Sequence, residues 1–259
     1  MISAIMPTSS IYDSLRMAAG YAYARPPVHG HMIEAMRQCL GTTSRFHQVL
    51  DIGCGAGLST AALEPYSDTV IGLEPAPAML TFSHFVSPHA LFLVGRAERL
   101  PFRDGMFDLL TAAGSLNYVN LALSLPEAVR VLAPGGRIVI YDFSEGRRLR
   151  GSYRLAQWFS EFQRRYPPPP DYDLDIRSLP YDRLGLRLEG YRDIAVPIMM
   201  SLASYVPYVM SETSVEAAIA RGVPEPHIRG WCSRTLREVF GDAPLEVLFD
   251  GYIAWARKV

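Results

Sequence analysis

The chain is poor in cysteine. Cys39, Cys54 and Cys232 are the only three in 259 residues. Their odd number and wide spacing give neither a CxxC zinc half-site nor a disulfide framework, so a reduced, cytoplasmic setting is expected. An excess of charge of one sign is missing too. The 25 basic and 26 acidic residues leave a net charge of −1, which argues against a general nucleic-acid binder. No apolar run approaches the roughly 20 residues that span a bilayer, so no membrane partner is expected. The opening MISAIMPTSSIYDSLR has no basic segment followed by an apolar one, so no signal peptide is read there. Internal repeats are absent. The one low-complexity piece, four prolines at 167–170, reads as a short rigid loop. No metal is expected either. HGH at 29–31 has no further ligands in view, and DYDLDIR at 171–177 lacks the glycine and later glutamate of a calcium loop.

What is present is an ordinary globular balance, 49% apolar and 20% charged. A chain of this length buries enough surface to fold without staples, here as one domain. A helical pattern over 8–24, capped by Ser9 or Ser10, is broken by ARPP, and a second follows in HGHMIEAMRQCL. From residue 47 the texture changes. Strand-like runs at Val49–Ile52, Thr69–Leu73, Ala90–Val94, Phe107–Ala112 and Arg137–Phe143 alternate with helical patterns at 57–65, 76–87 and 124–133. That alternation predicts βαβ units, a parallel sheet and helices on both faces. Four segments follow: N-terminal lid helices at 1–45, a nucleotide-binding core at 46–144, a looser helical cap at 145–210, and the end of the fold at 211–259. The last apolar stretch, PLEVLFDGYIAWARKV, predicts a strand or hairpin.

The most informative stretch is VLDIGCGAGLST, 49–60. Glycines at alternate positions after an apolar run usually hold a nucleotide. A dinucleotide turn needs G-x-G-x-x-G, but Leu58 stands at the third required position and Gly57 falls one residue early. Asp51, two residues before the first glycine, would repel a pyrophosphate. No P-loop lysine follows, so a nucleoside triphosphate is disfavoured. An adenosine ligand with positive charge and no phosphate fits better, and S-adenosylmethionine has both an ammonium and a sulfonium. Glycines let the backbone approach its methionine part. Glu74, ending a second strand about twenty residues on, suits two ribose hydroxyls.

Four blocks in order carry a resemblance: VLDIGCGAG, GLEPAPAML, GRAERLPFRDGMFDLL and EAVRVLAPGGRIVIYDF. Residues 49–143 resemble the class I S-adenosylmethionine-dependent methyltransferases, in the small-molecule branch of the trans-aconitate and ubiquinone-type enzymes. The resemblance implies an α/β Rossmann-like, doubly wound, mostly parallel seven-stranded sheet. It implies S-adenosyl-L-methionine as cofactor, S-adenosyl-L-homocysteine as product, and a small-molecule substrate. It assigns Asp51, Gly53 and Gly55 to the amino-acid end of the cofactor, with Cys54 presenting its backbone. Glu74 falls to the ribose, Pro75 and Met79 to the adenine face, and Ala97 and Glu98 to its edge. Ser115 falls near the transferred methyl. Arg25, with Tyr12 or Tyr21, closes the lid and pairs with the methionine carboxylate. Two departures stand out. Arg96 replaces an aspartate that many relatives use on the adenine amine, and Asn117-Tyr118 replaces a His-Trp pair.

Methyl transfer needs mainly a nucleophile brought into line with an excellent leaving group. An alcohol or carbon acceptor also needs a base. Asn117 cannot be one, and His29, His31 and Tyr118 are weak candidates. O-methylation by proximity and orientation is the expectation. A cofactor binder turned to another use is the alternative, and a nicotinamide oxidoreductase a remote one. Asn117, Tyr118, Tyr153, Trp158, Tyr205 and Tyr208 are candidate substrate contacts. The arginines and aromatics of 147–159 offer either a pocket for an aromatic or anionic small molecule or a helix with one apolar face on the core and a solvated basic face. Met199, Met200 and Met210 offer either an adaptable apolar wall or core.

Overall fold

The computed structural model describes residues 11–170 and 174–259. Ser9 and Ser10, and the start of DYDLDIR, lie outside the described residues. Two helices lead in: α1 (Leu15–Ala24), capped by the Ser14 side chain on the Met17 N–H, and α2 (Val28–Leu40), ended by left-handed Gly41. The core alternates β1 (Phe46–Ile52), α3 (Leu58–Leu63), β2 (Ser67–Glu74), α4 (Ser83–Val86), β3 (Leu91–Val94), β4 (Phe107–Ala113), α5 (Leu121–Val131) and β5 (Leu132–Phe143). After it come β6 (Arg148–Leu149), α6 (Arg154–Arg165), β7 (Leu186–Met200), α7 (Leu202–Met210), α8 (Thr213–Ala220), α9 (Glu225–Phe240) and β8 (Leu245–Lys258).

The sheet runs β3-β2-β1-β4-β5-β8-β6, with β7 also on β8. β1 to β5 are parallel, and β8 is antiparallel to its three neighbours. Strand alternation divides the core in two. Val49, Val70, Leu109 and Val139 face α2 and the α6–α9 group. Leu50, Ile71, Leu110 and Ile138 face α5 and the turns after it. Burying each such side chain contributes about 1.5–3 kcal/mol. The doubly wound α/β fold is therefore as expected, with two differences. Among the described residues the sheet has eight strands rather than seven, because β8 is long enough to pair with β5 over 251–257 and still hold the two-residue β6 at 247–248. The region 145–210 is not all cap: Leu186–Met200 is a strand. The helix expected over 76–87 is broken into a 3-10 turn at Met79–Phe82 and the single turn α4.

Candidate active site

At the end of β1 the chain turns through Gly53, Gly55 and Gly57, at φ 69°, 55° and 93°. Side chains rarely tolerate that region. A Cβ on Gly53 would also collide with Ser115 Cβ, at the end of β4, and come within 3.0 Å of its Oγ. Ser115 is held there by donating to Ile52 O at 2.6 Å. Glu74, ending β2, ties the turn to the next loop: its carboxylate accepts from Gly55 N–H and Ala76 N–H, both at 3.0 Å. Burial raises its pKa, and the two N–H groups pull it back.

Asp51 was expected to face the cofactor. It is instead fully enclosed, accepting from Ser59 Oγ (2.6 Å), Thr60 Oγ1 (2.7 Å) and Thr111 Oγ1 (2.8 Å). Thr111 sits across from it in the β1–β4 register. The carboxylate thus anchors the turn from behind and acts on a ligand only through its field. The Cys54 N–H, expected to be presented, is used with that of Gly53 on Leu73 O. Burial and then the nearby Asp51 and Glu74 charges push the Cys54 thiol well up. A turn with two buried acids at its back suits a cation and opposes phosphate.

Helix α1 closes over this turn. Ala18 packs with Ala56, Ala76 and Met79, and Tyr12 and Tyr21 border the cluster. Tyr12 Oη lies 3.2 Å from Tyr118 Oη, so the lead-in to α1 meets the loop after β4. Arg25 does not point into open space. Its Nη2 donates to Ser211 O (3.0 Å), its Nη1 lies 3.1 Å from Glu212 Oε1, and its Cζ sits 4.1 Å from the Tyr21 ring and 5.3 Å from that of Tyr208. His29 Nδ1 meets Tyr141 Oη at 2.9 Å. Burial, then Arg25, lowers its pKa to about 4, so it is a neutral and feeble base.

Other expected residues lie elsewhere. Tyr153 is 84% exposed at the start of α6. Trp158 is core: it stacks on Phe162 and Trp231 and donates to Thr235 Oγ1 at 2.7 Å. Tyr205 is fully buried and donates to Gly146 O at 2.9 Å. His31 is on an exposed face of α2, Pro75 is exposed, and Met199 is 64% exposed while Met200 and Met210 are core. Glu98 accepts from Asn120 N–H at 2.9 Å and pairs with Arg96 at 3.6 Å, so it braces the loop before α5. Ala97 is buried in the second core, and Asn117 is half-buried in the turn after β4. The cap arginines are paired, Arg147 with Glu145, Arg148 with Asp250 and Arg150 with Glu246, so their charge is met within the protein rather than left for an anion. Glu212 was missed. Its signal was faint: one acid between the apolar runs VPYVM and SVEAAIA.

The comparisons agree with this geometry. Residues 50–140 match the family model described as a methyltransferase domain. Over those residues the chain has the sequence of a methyltransferase domain. This methyltransferase domain is 36% identical over 91 residues to an uncharacterized methyltransferase of Mycobacterium tuberculosis, covering 35% of this chain and 37% of that one. It is 38% identical over 98 residues to a demethylmenaquinone methyltransferase of Beutenbergia cavernae, covering 38% and 41%. The chain thus spans about two fifths of the length of these curated relatives. Among solved structures, a candidate type II methyltransferase from Anaeromyxobacter dehalogenans matches with TM-score 0.68 at 18% identity, over 90% of this chain and 97% of that one. The [4+2]-cyclase SpnF matches with TM-score 0.52 at 18% identity, over 88% and 80%. Both show a shared fold. S-adenosylmethionine is the cofactor of this domain family, and the glycine turn backed by two buried acids fits it. Among the described residues, no helix is long and apolar enough to cross a membrane.

Proposed function

We propose that the protein transfers a methyl group from S-adenosylmethionine to a small molecule held between α1, the α7–α8 junction and the carboxyl ends of β4 and β5. The Glu74 carboxylate spanning the glycine turn and the following loop carries this reading, because it sets an acceptor where a ribose diol would be recognised. Gly53, Gly55 and Ser115 would border the methionine part, Glu74 the ribose, and Met79 the adenine, with Tyr12 and Tyr21 closing above. The bound cofactor supplies an electrophilic methyl group. The chain's own share is to exclude water, align the acceptor and provide a fixed field.

O-methylation of a hydroxyl is the reading we favour. Carbon methylation is the second, favoured by the relatives named for demethylmenaquinone. Calorimetry with S-adenosylhomocysteine and with NADH tests the cofactor. We expect the homocysteine product to bind wild type, to bind neither Gly55→Arg nor Glu74→Ala, and NADH not to bind. NADH binding without the product would overturn the reading. Product binding with no labelled methyl passed to any acceptor would favour a fold kept for other chemistry.

A further inference from the structure

Among the described residues, four buried polar atoms without a hydrogen-bond partner gather in one neighbourhood: Arg25 Nε, Arg147 Nε, Tyr208 Oη and Glu212 Oε1. Buried polar groups are nearly always satisfied, so a cluster of orphans asks what satisfies it. Glu212 is 6% exposed and Tyr208 1%. The Arg25–Glu212 pair is close but not aligned as a hydrogen bond. One ligand group answers three of the four: a hydroxyl that donates to the Glu212 carboxylate and whose two lone pairs accept from the Arg25 guanidinium and the Tyr208 hydroxyl. The aromatic rings of Tyr21 and Tyr208, gathered around Arg25, suit a flat carrier for that hydroxyl.

Resting on the methyltransferase reading above, we propose that Glu212 accepts the proton of the methyl acceptor, a phenol or enol whose oxygen lies against Arg25 and Tyr208. The acceptor's O–H bond breaks, its proton passes to Glu212 Oε1 and its electron pair stays on oxygen. That pair forms the bond to the methyl carbon as the carbon–sulfur bond breaks, its electrons returning to sulfur to leave a neutral thioether. Glu212 then loses the proton to solvent. The rival bases fit less well. His29 is tied to Tyr141, and Asp51 is enclosed by three hydroxyls.

The groups facing Glu212 are Arg25 and Tyr21 from α1 and its end, Tyr205 and Tyr208 from α7, and Glu145 and Arg147 from the segment after β5. Burial pushes the Glu212 carboxyl up to about 7, against the pull of Arg25 and with a push from Glu145. A base poised near neutrality suits proton transfer from a phenol.

The test uses the full chain, S-adenosylhomocysteine, 2-naphthol as the acceptor probe and 2-methoxynaphthalene as a control without the proton. Product binding is measured first. If wild type does not bind the product, the methyltransferase reading itself has failed. With the product bound, we expect 2-naphthol to bind, and Glu212→Gln to weaken it at least tenfold. The same variant should change 2-methoxynaphthalene and product binding by less than about threefold. With labelled S-adenosylmethionine, wild-type methylation of 2-naphthol should rise through pH 7, and Glu212→Gln should lower it at least 100-fold. Tyr208→Phe, a gentler change, should weaken 2-naphthol severalfold. Absence of 2-naphthol binding to product-loaded wild type overturns the acceptor class. Binding and turnover unmoved by both variants overturn the role of Glu212 and leave the cluster a structural network.

Discussion

Replacing Gly53 by alanine tests the packing of the cofactor turn against the end of β4. The residue sits at φ 69°, where a Cβ costs roughly 1–2 kcal/mol. The new Cβ also enters the space of Ser115 Cβ, which cannot retreat freely because its hydroxyl is bonded to Ile52 O at 2.6 Å. Overpacking of this kind adds roughly 1–3 kcal/mol. The sum is about 2–5 kcal/mol, or a fall in Tm of roughly 4–20 °C for a chain of this size. Chemical denaturation of Gly53→Ala, Ser115→Gly and the double variant separates the two parts. Ser115→Gly alone loses one hydrogen bond, about 0.5–1.5 kcal/mol. In the alanine background it should restore the steric part, giving a favourable coupling of about 1–3 kcal/mol while the backbone part persists. A single-variant cost below about 0.5 kcal/mol, or no coupling, would refute the close approach of turn and strand.

Three other outcomes are expected. Trp158→Ala should cost about 3–5 kcal/mol in denaturant while leaving S-adenosylhomocysteine binding intact, whereas Tyr153→Ala should change neither; a selective loss of acceptor turnover in either variant would return α6 to the substrate site. Thr111→Val, which removes one of three donors to a fully buried carboxylate, should cost about 1–3 kcal/mol where Asp51 is ionised and less once it is protonated, which burial shifts to higher pH than for a free carboxyl; a pH-independent cost would contradict this. His29 keeps its ring neutral down to about pH 4, so the unfolded chain binds its proton first and stability falls as pH drops from 6.5 towards 4, by at most about 3 kcal/mol. Glu212 acts in the opposite sense, losing stability as pH rises from 4.5 through 7. Thermal melts of His29→Gln should therefore fall more steeply than wild type across that rise; parallel melts would show that His29 is not desolvated.

The sheet core was legible because apolar runs and glycine turns are local signals. β1, β2, β4 and the end of β5 were read from four to seven residues each. β7 was not, because LRLEGYRDIAVPIMM mixes charges with a proline, a composition that only an edge strand tolerates. The helix expected at 76–87 is present only as a 3-10 turn and a single helical turn. In the site, residues that recognise by backbone shape were visible, since a glycine's purpose shows in its neighbours. Asp51 was visible as an acid, but not its enclosure, because Thr111 lies sixty residues away. Arg25 reaches Ser211 across 186 residues, so its true partners had no local mark.

Helix α1 is also fastened to the other half of the site. Arg16 pairs with Glu216 and donates to Met210 O at 3.0 Å, Gly20 lets the helix lie against Ser211, and Arg25 holds Ser211 O and Glu212. On the proposed function, one element would therefore cover both the cofactor and the acceptor. A displacement of α1 wide enough to release a nucleoside would then open the acceptor side as well, and both products would depart in a single opening event. Turnover limited by that event slows in proportion to solvent viscosity and quickens when Arg16 is cut back to alanine. Turnover indifferent to both would mean that the two compartments open independently.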